Sequence, residues 1–327
     1  MSAGTSRYEA VRIGIFFGRR LLSFGFFCII RPMGVETKQI QIDRKPPEAQ
    51  LDDVMGGSAR WEVKVDEHGM VALVDVMPRL VPVGKTADYA IVQAARVSYG
   101  QGTRQVNEDK GLIRYLARHR HTTPFEMVEF KFHHVMPIFV ARQWIRHRTA
   151  NVNEYSARYS VVRDRFYRPS IENVRKQSTV NRQGGDEPIG ELTAKEFCDY
   201  LDKVEQSYAD YQKLIDKGVA RELARIGLPV NVYTEWYWKI DLHNLFHFLS
   251  LRMDAHAQQE IRDYANAMFA LVQPIVPIAS EAFLDYQIGA MHLTRPEIEA
   301  LRDGKPLATE NKRENAEWDE KRKKLGL

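Results

Sequence analysis

Apolar side chains recur along this chain at two spacings, and each marks its own kind of element. Met70–Met77 is a short apolar, β-branched run and reads as a strand. Ala87–Val97 and Glu108–Arg118 carry helical spacing. Between Glu126 and Met136 the pattern alternates, with Val128, Phe130, Phe132 and Met136 on one side and Glu129, Lys131 and His133 on the other. This predicts a half-buried strand. Pro137 then suits the first turn of a helix running to about Arg148, with Gln143 and Arg146 on one face. Asn151 and Asn153 break it, and in an extended continuation Glu154, Ser156 and Arg158 would point to one side.

Gln177–Gly190 contains Gly184-Gly185 and reads as an exposed loop. A long amphipathic helix is expected next: Thr193 and Glu196 form a capping box, Phe197, Leu201, Val204, Tyr208, Tyr211 and Ile215 make the stripe, and Gly218 ends it. A shorter helix carries Arg221 and Arg225 and stops at Gly227-Leu228-Pro229. Asp241–Arg252 and Ala255–Val272 read as two more helices, and Asp303–Leu327 as a charged helix or a disordered end. Few strands among many long helices predict an α+β fold with one small, mostly antiparallel sheet packed by helices.

The chain divides accordingly into an N-terminal extension and linker (1–67), a compact domain (68–290) and a charged tail (291–327). Pro46–Glu67 is polar and turn-rich, as a linker would be. Arg12, Arg19 and Arg20 precede the apolar run Leu21–Ile30, which at ten residues is too short to span a bilayer. The expected reading is a translation start at Met33, leaving 1–32 outside the protein. At 327 residues, 44% hydrophobic and 28% charged, the composition is that of a cytoplasmic globular protein. A net charge of +4 does not by itself predict a nucleic-acid partner, and no membrane partner is expected. Cys28 and Cys198 form no framework, so no disulfide is expected.

Charge matters locally. Between Pro137 and Pro169 there are seven arginines and no lysine, offset only by Glu154 and Asp164. Guanidinium forks suit bidentate recognition of phosphate or carboxylate, and too few acids are near to neutralise them internally. An anionic ligand is expected. His243 and His247 lie four apart, but neither an adjacent glutamate nor a third ligand accompanies them, so no metal site is expected. There is no P-loop, no GxGxxG turn and no GxSxG elbow.

Arg146-His147-Arg148, then seven residues, then Ser156, resembles the signature of the flavin-dependent thymidylate synthases. The likeness extends through His119–Glu126, Ala141–Trp144, Asn153–Tyr159, Arg221–Arg225 and Leu251–Gln258, and covers about Met70 to Tyr286. It implies reductive methylation of dUMP to dTMP, with 5,10-methylenetetrahydrofolate as carbon donor and FAD, reduced by NADPH, as hydride source. It also implies a homotetramer with shared active sites.

By the same resemblance, the dUMP contacts would be Gln143, Trp144, Ile145, Arg146, Glu154, Tyr155, Ser156, Ala157, Arg158, Arg225 and Arg252, with Arg252 also catalytic. The FAD contacts would be Ser98, Thr123, Arg146, His147, Arg148, Glu154, Asp241, Leu242, His243 and His247, and His121 would line the folate and flavin side. The family often has Asn, Arg and Asn where this chain has Asp241, His243 and His247, and a frequent His where Met127 stands. Two other readings remain at this point. One is an RNA-binding module using Tyr155, Tyr159 and Tyr167 as stacking surfaces. The other is a flavoprotein of this fold without methyl transfer.

Overall fold

The structure is a computed structural model that describes residues 37–39, 60–98, 109–178 and 184–327. The apolar run near Met33, Cys28 and the Met55–Ser58 turn lie outside the described residues.

The fold is α+β, as the pattern predicts. Thr37–Gln39 (β1) pairs antiparallel with Leu80–Pro82 (β4). The main sheet is five-stranded and antiparallel, in the order β2 (Trp61–Lys64), β3 (Met70–Met77), β5 (Glu129–Pro137), β9 (Tyr233–Asp241) and β6 (Asn151–Glu154). Separately, β7 (Arg175–Gln177) pairs antiparallel with β8 (Gly185–Pro188); β8 lies within the span read as a loop, and β7 ends at its first residue.

β5 and β9 are in register from Glu129–Asp241 to Pro137–Tyr233. β9 was not among the expected elements. Its signal is nonetheless regular: Trp236, Trp238 and Ile240 are buried, while Glu235, Tyr237 and Lys239 alternate with them at intermediate exposure. β2 is a second difference, because it falls inside the expected linker. Its pairing with β3 buries Arg60 and changes the outer face of β5. His133, expected at a polar face, is only 1% exposed. Arg60 Nη1 lies 2.7 Å from its Nδ1 and Glu235 Oε1 lies 2.7 Å from its Nε2.

The other sheet face builds the main core. Val71, Leu73, Phe130, Phe132, Trp236 and Trp238 pack against α1 (Asp88–Val97), α2 (Asp109–Arg118), α7 (Leu242–Arg252), α8 (Gln259–Val272) and α9 (Pro277–Phe283). Burial contributes roughly 1.5–3 kcal/mol per large apolar side chain. The surroundings are dry enough to push the wholly buried His134 well below the ordinary histidine pKa, with neighbouring His133 adding to the effect. Its Nδ1 accepts from Trp236 Nε1 at 3.2 Å.

Three helices differ from their expected bounds. α3 is Ile138–Trp144, so Arg146, His147 and Arg148 follow the helix rather than close it. Its first N–H groups have no side-chain cap, and the Ile138 and Phe139 amides donate instead to the carbonyls of Val232 and Val230, at 2.9 and 3.0 Å. The long amphipathic helix is two, α4 (Glu191–Glu205) and α5 (Ser207–Asp216), interrupted at Gln206. It starts after Gly190, two residues before the expected Thr193 cap. Gly218 ends α5 as expected, with φ +87°. α8 starts at Gln259 rather than Ala255.

A second, smaller core lies beyond α3. Val162, Tyr208, Tyr211, Ala224 and Val232 are its buried members, and it joins α5 to α6 (Arg221–Ala224). The tail forms α10 (Arg295–Asp303) and α11 (Lys312–Leu325). Thr294 and Glu297 make a capping box there, and buried Glu297 also holds Lys321 at 2.8 and 3.0 Å. Among the described residues no helix is long and apolar enough to cross a membrane.

Candidate active site

The turn after α3 carries the arginine motif onto the main core. The His147 amide donates to the Trp144 carbonyl at 2.9 Å, which turns the chain back and lays the imidazole over α7. There its ring meets Phe248 edge-on at 4.8 Å and His247 at 6.2 Å. Arg252, at the end of α7, donates from Nε to His147 Nε2 at 3.1 Å.

An imidazole that accepts at Nε2 carries its hydrogen on Nδ1. Burial, then the charges of Arg252 and His247, push the pKa of His147 down to about 4, so the ring is neutral near pH 7. Burial also lowers the pKa of Arg252 itself. Among the described residues Arg252 has no carboxylate partner, and the neutral imidazole is its hydrogen-bond acceptor. A half-buried guanidinium so placed is matched to an anion from outside the chain.

The second part of the site is the loop after β6. Glu154 Oε1 accepts from Thr234 Oγ1 at 2.7 Å across to β9. The extended continuation stops there. The amides of Tyr159 and Ser160 donate to the Ser156 carbonyl at 3.0 and 3.1 Å, making residues 156–160 a turn. Glu154, Ser156 and Arg158 therefore do not form one strand face. Ser156 Oγ accepts from the Arg158 amide at 3.4 Å, and the Arg158 guanidinium lies 5.3 Å from the Tyr159 ring centroid. Tyr155 Oη donates to the Val161 carbonyl at 2.6 Å, closing the loop, and Arg221 Nη1 donates to the Tyr159 carbonyl at 2.8 Å.

The arginines of the motif sort by partner. Arg163 is paired with Glu235 at 3.4 Å, and Arg168 with Asp202 and Glu205. Arg146, Arg148 and Arg158, with Arg225 from the turn after α6, are exposed and have no carboxylate partner among the described residues. Arg142 and Arg165 also have no carboxylate partner among the described residues, so uncompensated positive charge runs along the stretch and includes the positions the family motif singles out.

Other expected positions divide between side chains and backbone. Gln143 donates to Gln258, at the start of α8. Trp144 is fully buried among His134, Trp236, Trp238 and Phe248, so only its backbone can face a ligand, whereas Ile145 is exposed. Leu242 is likewise buried, and its amide already donates to the Val128 carbonyl at 2.8 Å. Asp241 caps α7, accepting from the Asn244 amide at 2.9 Å and from Asn244 Nδ2 at 2.7 Å. His243 is half-buried and His247 exposed on that helix.

Ser98 caps the C-terminus of α1, and Thr123 opens the 3-10 helix Thr123–Met127. His121 follows Arg120, whose φ is +56°, and its ring stands 6.0 Å from Tyr115 and 6.5 Å from His119. Ala157 lies within the turn, at intermediate exposure. Sequence reasoning gave no role to Thr234, Gln258, Tyr208 or Tyr211. The alternation of β9 would have found Thr234, and helical spacing puts the two phenols on a buried stripe without pointing to partners for their hydroxyls.

Residues 79–278 match the family model described as "Thymidylate synthase complementing protein". A flavin-dependent thymidylate synthase of Dictyostelium discoideum is 70% identical over 290 residues, 89% of this chain and 96% of that protein. One from Wolbachia pipientis wMel is 53% identical over 242 residues, 74% of this chain and 82% of that protein. Among solved structures, the UMP/dUMP methylase PolB from Streptomyces cacaoi, bound with 5-Br dUMP, is 34% identical with a TM-score of 0.58 and covers 67% of this chain and 96% of that one. Overlap of this extent, across the arginine motif and both parts of the site, places the chain in the flavin-dependent thymidylate synthase family.

Proposed function

We propose that this chain is a cytoplasmic, homotetrameric flavin-dependent thymidylate synthase. It transfers a one-carbon unit from 5,10-methylenetetrahydrofolate to C5 of dUMP and reduces it to a methyl group with NADPH as reductant, in dTTP synthesis. The observation that carries this reading is Arg252, a half-buried guanidinium bonded to a neutral imidazole and without a carboxylate partner among the described residues.

Uracil C5 becomes nucleophilic only as negative charge develops on the ring. A guanidinium fixed beside the ring oxygens stabilises that charge without reorganising. His147 holds Arg252 through Nε, which leaves the terminal N–H groups for the ring. Protonated His147 would be a second donor and could not serve in this way. Its low pKa keeps it an acceptor.

Ser156, Arg158 and Arg225 hold the phosphate and ribose of dUMP in this reading, and Gln143, Glu154 and the Trp144–Ile145 and Tyr155–Ala157 backbone orient the nucleoside. Fixing the phosphate converts binding energy into orientation of the ring. The donor set also fits FAD. Arg146 and Arg148 are open guanidiniums suited to a diphosphate, and the Nδ1–H of His147 has no acceptor among the described residues. Ser98, Thr123, Glu154, Asp241, Leu242, His243 and His247 complete the proposed flavin contacts, Asp241 through whatever its capping bonds leave free and Leu242 through its backbone. FAD reduced by NADPH supplies the hydride when bound. His121 faces the folate side. The catalytic unit is taken as residues 68–290 together with β2, which completes the main sheet.

Two features support shared sites in a homotetramer. The motif arginines are open to solvent in the single chain, and Tyr159, Leu223, Ile226 and Val230 around Arg225 are 72%, 60%, 75% and 61% exposed. Purified, FAD-loaded protein should be yellow and should make dTMP from dUMP, methylenetetrahydrofolate and NADPH. NADPH oxidation without dTMP would show a flavoprotein lacking methyl transfer, and would overturn the proposal.

A further inference from the structure

The loop bearing Ser156 and Arg158 runs between β6 in front and Val162 behind. Val162 is buried, and it lies outside any strand or helix, so neither of its backbone groups belongs to a ladder. Buried backbone groups need partners. Both are found on α5. The Val162 amide donates to Tyr211 Oη at 2.9 Å, and Tyr208 Oη donates to the Val162 carbonyl at 2.7 Å.

Tyr208 and Tyr211 stand three apart on one helix face, their ring centroids 5.6 Å apart, within the small core. Phenylalanine at either position would fill that core equally well. Burial therefore does not account for the hydroxyls, whereas the two bonds to Val162 do. The same unit leads past Gly218 into Arg221, which holds the Tyr159 carbonyl, and then to Arg225. One helix pair thus grips the loop at Val162 and Tyr159 while carrying a second phosphate-binding arginine. Burial raises the pKa of the Tyr208 hydroxyl, so it remains a protonated donor at neutral pH.

We propose that Tyr208 and Tyr211 are positioning residues for the nucleotide: through Val162 they hold residues 155–162 in register with Arg225, so that Arg158 and Arg225 meet one phosphate group. This rests on the reading of that loop as the dUMP site. Without the clamp the loop must be ordered anew in each binding event, which weakens binding without touching the chemistry at the ring.

The test is Tyr208→Phe and Tyr211→Phe in the full-length, FAD-loaded protein. Each should raise the KM for dUMP about tenfold, the effect of one buried backbone group left unpaired. kcat, the flavin spectrum and the KM for NADPH should not change. Hydrogen exchange should quicken across 155–163 and not in β5 or β9. A merely structural role would lower flavin content and kcat at unchanged KM for dUMP, and that result in both variants overturns the proposal.

Should neither variant fold, wild-type exchange decides. dUMP should slow exchange in 155–163 and in α5 together, and protection missing from α5 overturns the clamp. Arg158→Ala separates the two levels of inference. If it binds dUMP like wild type, the loop is not the nucleotide site. If it loses dUMP while the Phe variants keep it, only the clamp fails.

Discussion

The two halves of the site stand on unequal foundations. Arg252 and His147 rest on the main core: α7 buries Leu245, Phe246, Phe248 and Leu249, and through Phe248 it packs on Trp144 of α3 and Trp238 of the sheet. Ser156 and Arg158 stand on a turn anchored by single hydrogen bonds to a core of five buried residues. The first arrangement suits a group that must stay fixed while charge develops, and the second a ligand that enters and leaves. Local opening costs least where few apolar contacts are lost. The loop is therefore the half expected to move.

Substitutions should separate the two. The largest effect is expected for Arg252→Ala. Removing a preorganised charge from the ring should lower kcat on the order of 100- to 1000-fold. Flavin content should be kept, and a loss confined to the KM for dUMP would assign Arg252 to simple binding. Arg158→Ala should act on the other half. Losing a charged hydrogen bond costs about 1.5–3 kcal/mol, a rise of roughly 10- to 150-fold in the dUMP dissociation constant, measurable by calorimetry. An equal fall in kcat would erase the contrast between the halves.

Thr234→Val is a smaller perturbation because it keeps the shape and removes only the bond to Glu154. About 1 kcal/mol is at stake, or roughly fivefold in dUMP affinity. An unchanged affinity would free Glu154 from its dependence on β9.

The smallest effect concerns pH. His147 titrates near 4 in the folded chain, against an ordinary value of 6.5. Between those values the unfolded chain takes up a proton that the folded one refuses. This residue therefore costs stability as pH falls through that window, and contributes no pH dependence above it. Its NMR titration midpoint should lie near 4 and should rise in Arg252→Gln, which removes a charge while leaving the larger burial cause in place. A wild-type midpoint near 6.5 would remove the argument for a neutral acceptor.

Most of this frame was legible in the sequence. Alternation found β5, helical spacing found α1, α2 and α7, and the excess of arginine over acid singled out the stretch now proposed to take the ligand. What failed to show was set by distant partners. His133 carries a polar label, yet it is buried because Arg60 and Glu235 arrive from 73 and 102 residues away. The helix after Pro137 stops at Trp144 because that indole is locked into the sheet's aromatic cluster and the chain must turn over α7. Likewise Glu154 needs Thr234 of β9, and Val162 needs two phenols on α5, pairings that no local spacing encodes.

The central claim is that the loop of Ser156 and Arg158 takes dUMP beside the flavin held over the main core. The most direct measurement is a dUMP titration of FAD-loaded, full-length protein followed by flavin absorbance, with wild type beside Arg158→Ala. The account predicts a saturable change in both, from the same starting spectrum, shifted to higher dUMP in the variant. Superimposable titrations, or no response in wild type, would contradict it.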